Sequence, residues 1–261
     1  MKISAALLPL LALGLAPSAG VAAFPQSHAA TAAEDAQTLL DANARLKAQV
    51  EATAPGGRLP LLGNQDAALV RTAFDAVIIR AAPLDAGTIG SICEALGNSI
   101  LAYTDYVERT AGNEVAAQNA EVIRLQDEFA LGTAAANICV QRGFRAIDAL
   151  LGTFDTARRS QLGSPLMMMR NGTTMTISGT LATLELPGIS AANQDLMVFA
   201  MAEDSAVVAA SFPKAERGKL ERMVRDSASR ATRLALKQAL NRIAQSFASP
   251  ACNTLCQAAG G

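Results

Sequence analysis

The sequence predicts an all-α protein, a single compact bundle of about seven helices, and three observations carry that prediction. Alanine supplies 55 of the 261 residues, while aromatic residues make up only 4% and tryptophan is absent. Alanine and leucine favour helix, and β-branched residues are few. Apolar residues also recur at steps of three and four through most of the chain, which is the period of a helix face. An apolar content of 51% with a net charge of −1 excludes a disordered chain. The same balance excludes a strongly basic nucleic-acid binder at the level of the whole chain.

Residues 1–23 read as a secretory signal peptide. Met1-Lys2 gives a short positive start, Ala5 to Leu15 is an apolar run, and Val21-Ala22-Ala23 fits a small-x-small cleavage site. The run is too short for a membrane-spanning helix, which needs about 20 residues. A second small-x-small site, Ser27-His28-Ala29, follows closely. The mature chain, 24–261, is therefore expected to be an exported, single helical domain, periplasmic or secreted. No later run of 18 or more apolar residues occurs, so no integral membrane segment is expected after signal removal. Leu196 to Met201 is the densest apolar block and is assigned to a core helix covered on all sides.

The elements follow in order. Thr31 to Ala54 reads as a polar, amphipathic helix ended by Pro55-Gly56-Gly57. Asn64 is placed to cap a second helix with the stripe Leu69, Val70, Ala73, Phe74, Val77 and Ile78, broken by Pro83. The third carries Ile92, Leu96, Ile100, Tyr103 and Val107 and ends at Gly112-Asn113. The fourth runs from Glu114 to Thr153 on the seam Val122, Leu125, Phe129, Gly132, Ala136, Cys139, Gly143, Ile147, Leu150. At about 60 Å it is too long to stay straight, so a kink or split is expected at Gly132 or Gly143. Residues 171–186 hold Asn171-Gly172, Gly179 and several threonines, and suit either a β-hairpin or a glycine-interrupted helix. The helical surroundings favour the helix. Ser190 to Ser211 forms the next, and Pro213 opens a last helix to about Phe247.

Cys93, Cys139, Cys252 and Cys256 are even in number in a chain marked for export, so disulfides are the leading reading. Four cysteines allow three pairings. If the third and fourth helices are antiparallel about Gly112-Asn113, Cys93 and Cys139 stand at similar heights. Cys252 and Cys256 then pair locally across a non-helical turn. The spacing lacks the close C-x2-C pairs of a zinc site and the C-x-x-C of a redox couple.

Much familiar chemistry has no residues to carry it. His28 is the only histidine, so a serine or cysteine nucleophile in the helical body has no histidine base. No metal or other cofactor is called for. Ser211-Phe-Pro-Lys214 satisfies the S-x-x-K nucleophile pattern, but Pro213 is better read as a helix start with Ser211 near its cap. Acid pairs such as Asp105 with Glu108, Glu121 with Asp127 and Glu128, and Glu203 with Asp204 are read as solvated helix faces.

Charge is uneven along the chain. Residues 24–212 carry 12 Lys/Arg against 20 Asp/Glu, whereas residues 213–243 carry 9 against 3. On a continuous helix Lys219, Arg222, Arg230, Arg233 and Lys237 fall within about 80° of one another. That face is a candidate surface for an anionic envelope component or an acidic protein, or it docks on the acidic body of its own molecule. Beyond Leu234 the apolar positions move round the helix, which calls for a kink or for different neighbours at its two ends. The leading functional expectation is an exported, non-enzymatic protein that acts by binding or envelope scaffolding through this basic face. The alternative is a carrier of a small apolar molecule or lipid between helices, near Met167-Met168-Met169 and Leu196 to Met201. A hydrolase using Ser211 and Lys214 or the carboxylates is the remote third.

Overall fold

Two apolar cores share one helix wall, and the fold is organised around that wall. The computed structural model describes residues 26–258 as helices and connecting turns, with no strand among the described residues. The segment 1–23, read as a signal peptide, lies outside them. The amino-terminal half comprises α1 (Gln26–Ala52), α2 (Ala67–Ala73), α3 (Ala76–Ala81), α4 (Ala86–Ala111) and α5 (Val115–Arg124). The shared wall is α6 (Gln126–Gly152). The remainder is α7 (Thr156–Ser160), α8 (Gly163–Leu184), α9 (Ala191–Ala202), α10 (Ser205–Ala210), α11 (Lys214–Arg230), α12 (Leu234–Ala248) and α13 (Thr254–Gln257).

The all-α class is as the sequence predicts, but the described residues form thirteen helical segments rather than about seven. The excess comes from breaks that leave the apolar period intact. Asp75 is one: its carboxylate accepts the N–H groups of Val77 and Ile78, so α3 starts afresh where the stripe Phe74, Val77, Ile78 reads through. The expected fourth helix breaks at Leu125, not at either glycine, and α6 runs uninterrupted through Gly132 and Gly143. Gly132 serves close approach instead. A Cβ there would meet Ile100 Cγ1 at 3.1 Å and Phe74 Cζ at 3.3 Å. Gly132→Val is therefore expected to destabilise by about 1–3 kcal/mol through overpacking, measured as a lower midpoint in urea unfolding.

The hairpin option for residues 171–186 is wrong: α8 is one helix, with Gly172 and Gly179 in its interior. Its threonines favour strands by propensity, yet each finds a partner inside the helix. The hydroxyls of Thr173, Thr174, Thr176, Thr180 and Thr183 donate to the carbonyls of Met169, Arg170, Gly172, Thr176 and Gly179, four residues back. The hydroxyls are thereby satisfied while the helix packs against α6, α9 and α11.

The first core gathers Leu39 and Leu46 of α1, Phe74, and Ile89, Leu96 and Tyr103 of α4, together with Ala134, Ala135 and Ile138 of α6. The second gathers Met169, Ile177, Met197, Phe212, Val224, Leu240 and Phe247 around Phe144, Ile147 and Leu151 of the same helix. α4 and α6 are antiparallel, and Cys93 and Cys139 join them with sulfurs 2.06 Å apart. Cys252 and Cys256 form the second disulfide. α9 departs from the expectation of cover on all sides: Met197, Val198 and Met201 are buried, but Leu196 and Phe199 are exposed. Among the described residues no helix is long and apolar enough to cross a membrane.

Candidate binding site

The basic face expected of one continuous carboxy-terminal helix is divided. α11 stops at Arg230, Ala231 is extended, and α12 restarts at Leu234. No proline or glycine marks this break; the only sign of it in the sequence is the shift of apolar positions after Leu234. The 100° steps that place five cations in one sector therefore do not carry across it. Lys219 and Arg222 are exposed on α11, and Lys237 is exposed on α12. The other two cations turn onto the body. Arg230 grips Glu185 through both carboxylate oxygens, at 2.6 and 3.1 Å. Arg233 donates to Asp195 at 2.7 Å, and to the Ala191 carbonyl and the Gln194 side chain at 3.0 Å each.

Between this break and the α8–α9 corner lies a groove of about 340 Å³. Its apolar lining combines the buried Leu184, Ile189, Leu236 and Leu240 with the more open Leu186, Pro187 and Ala231; Glu185 and Arg230 stand among the polar lining residues. The corner depends on Pro187-Gly188. Gly188 has φ +104°, and a Cβ there would come within 3.0 Å of Ile123 Cδ1, so both its backbone and its space require glycine. Burial alone would raise the Glu185 carboxyl. Hydrogen bonds from Arg230 and Ser227, with the Arg230 charge, outweigh it and hold the group below the usual carboxylate range. Glu185 and the corner residues carry no motif in the sequence that points to a site.

The other expected sites are occupied by structure. Met169, Met197 and Met201 are buried in the second core, while Met167 and Met168 are exposed. The cavity beside Met201 measures about 10 Å³, at the threshold for a single water. Met201 lines this small cavity, while Met169 and Met197 pack in the core. Ser211 is wholly buried; its hydroxyl donates to the Val207 carbonyl and accepts from Asn253, while Lys214 is exposed. The acids are largely engaged as well: Glu203 with Arg80, Asp204 with Arg145 and Glu121 with Arg124. Glu128 is buried and accepts the Leu62 N–H at 2.7 Å; burial pushes its carboxyl up despite that bond. Among the described residues no group of three or more His, Cys, Asp or Glu could hold a metal ion.

Compared with known proteins, the chain matches no family model, no curated protein and no solved structure. Its function rests on its own residues.

Proposed function

We propose that the protein is exported and acts by binding, taking a small anionic amphiphile into the groove between the α8–α9 corner and the α11–α12 break. The observation that carries this reading is the pairing of an apolar lining with one exposed guanidinium, Arg230, whose carboxylate partner belongs to the protein itself. An exposed ion pair of this kind contributes little to stability. A ligand carboxylate or phosphate competes with Glu185 for the exposed Arg230 fork. The ligand's tail then lies on Leu186 and on the small edges of Ile189 and Leu236 that reach the surface, gaining about 25 cal/mol per Å² of apolar surface removed from water. The volume lies within the range of small-molecule sites, roughly 300–1,000 Å³. Export is supported by the signal-like segment 1–23 and by the two disulfides. This reading keeps Arg230 from the basic face and moves the carrier site away from the methionines.

The test is calorimetric titration of the mature protein with dodecanoate, dodecyl phosphate and dodecyltrimethylammonium. Both anions are expected to bind and the cation is not. Arg230→Glu is expected to weaken dodecanoate binding by about tenfold or more, the loss of a charge-assisted contact, and Glu185→Gln to strengthen it. Equal affinity for the anion and the cation, or dodecanoate binding unchanged by Arg230→Glu, overturns the proposal.

A further inference from the structure

The carboxy-terminal disulfide sits in a segment that hydrogen bonds also dock onto the body. Beyond α12 the chain returns to the body. Asn253 donates its backbone N–H to the Ala210 carbonyl at 3.0 Å and its side-chain amide to Ser211 Oγ at 2.8 Å. Leu255 donates its N–H to Asp148 at 3.0 Å, and its carbonyl accepts from Arg170 at 2.9 Å. The Arg217 guanidinium bonds the Ala251 carbonyl, next to Cys252. These contacts reach α6, α8, α11 and the end of α10, and none runs through sulfur.

The two cysteines differ sharply in access. Cys252 is exposed, whereas Cys256 is 1% exposed and its N–H is tied to Asn253 Oδ1. Cys93 and Cys139 are both buried between α4 and α6. Exchange requires an attacking thiolate to reach a sulfur, so access selects which bond opens.

We infer that Cys252–Cys256 is a thiol-exchange site that accepts two electrons from an external dithiol, with Cys252 the attacked sulfur and Cys256 the resolving one. One thiolate of the dithiol attacks Cys252 Sγ, the S–S bond breaks, and its electron pair leaves on Cys256 Sγ, which takes a proton from water. The partner's second thiol, as thiolate, then attacks its own sulfur in the mixed disulfide and releases Cys252 thiolate. The protein gains two thiols and the partner becomes a disulfide. In reverse, Cys256 is already held next to Cys252 by the docked segment, so a mixed disulfide at Cys252 is resolved within the molecule. The site uses none of the groove residues, so it stands or falls apart from the binding reading.

The experiment treats the native, oxidised protein with dithiothreitol, alkylates the freed thiols at intervals, and locates them by peptide mass spectrometry. Cys252 and Cys256 are expected to appear together, with Cys93 and Cys139 slower by at least about 100-fold, equivalent to about 2.7 kcal/mol of protection. In addition, Cys256→Ser exposed to glutathione disulfide is expected to carry one glutathione on Cys252, and Cys252→Ser none on Cys256. Opening of Cys93–Cys139 at the same rate overturns the inference. So does resistance of Cys252–Cys256 until the fold is lost, or capture of glutathione by Cys256. The wild-type kinetics decide the matter even if a variant fails to fold.

Discussion

Replacing Cys93 and Cys139 together by alanine is expected to lower the unfolding free energy by about 4 kcal/mol, against about 2 kcal/mol for Cys252 and Cys256. The two bridges close loops of very different size: the sequence separations are 46 and 4. In the chain-entropy account the larger loop removes far more freedom from the unfolded ensemble. A loss of 4 kcal/mol is a large share of the roughly 5–15 kcal/mol that holds an ordinary domain together. The bridge also fixes the height at which α4 meets α6, with Ile100 against Gly132 on one side of it and Ile89 near Gly143 on the other. Urea unfolding of the two double variants checks the order of effects. Equal losses, or a larger loss from the short bridge, would count against this account.

Arg170→Met is expected to cost about 2–4 kcal/mol, although methionine fits helix α8 and roughly keeps the volume. Arg170 is 4% exposed and donates to two main-chain carbonyls, Ser211 at 3.2 Å and Leu255 at 2.9 Å. Burial lowers the guanidinium's pKa, with the Glu216 charge opposing, but the group stays ionised because arginine starts so high. The substitution recovers the cost of burying a charge, yet it strands two buried acceptors at about 1–3 kcal/mol each. The stranded carbonyls win, because methionine offers no donor to the Ser211 and Leu255 carbonyls that Arg170 holds. Limited proteolysis should then cut first within residues 249–258, while α1 to α6 stay intact. Uniform loosening of the whole chain would contradict the assignment. Arg170→Lys is expected to rescue only part of the loss, since one ammonium replaces a planar fork.

Periodicity made the helical class, the long α4 and α6, and the antiparallel pairing of Cys93 with Cys139 readable from the sequence. Those features depend on residue spacing within one or two helices. The breaks were harder to read, because they depend on side chains and neighbours met only after folding. Asp75 caps α3 inside an unbroken apolar stripe, and Leu125 ends one helix and begins another without any turn residue. Ala231 to Arg233 interrupt the last stretch where Arg233 reaches Asp195, Gln194 and Ala191, contacts between residues 38 to 42 positions apart. α8 inverted the propensity argument, since its threonines satisfy their own hydroxyls within the helix. The groove was the least legible feature: it exists only because the corner at Pro187-Gly188 meets the break at Ala231.

The shared wall α6 has a consequence for how the molecule comes apart. Its Ala134, Ala135 and Ile138 belong to one core and its Phe144, Ile147 and Leu151 to the other. Melting either core strips half of this helix and leaves its main-chain amides open to solvent. Neither half gains a separate thermal transition, and the slowest-exchanging amide protons should lie in the middle of α6, at Ala135 to Phe144, where opening requires both cores to part.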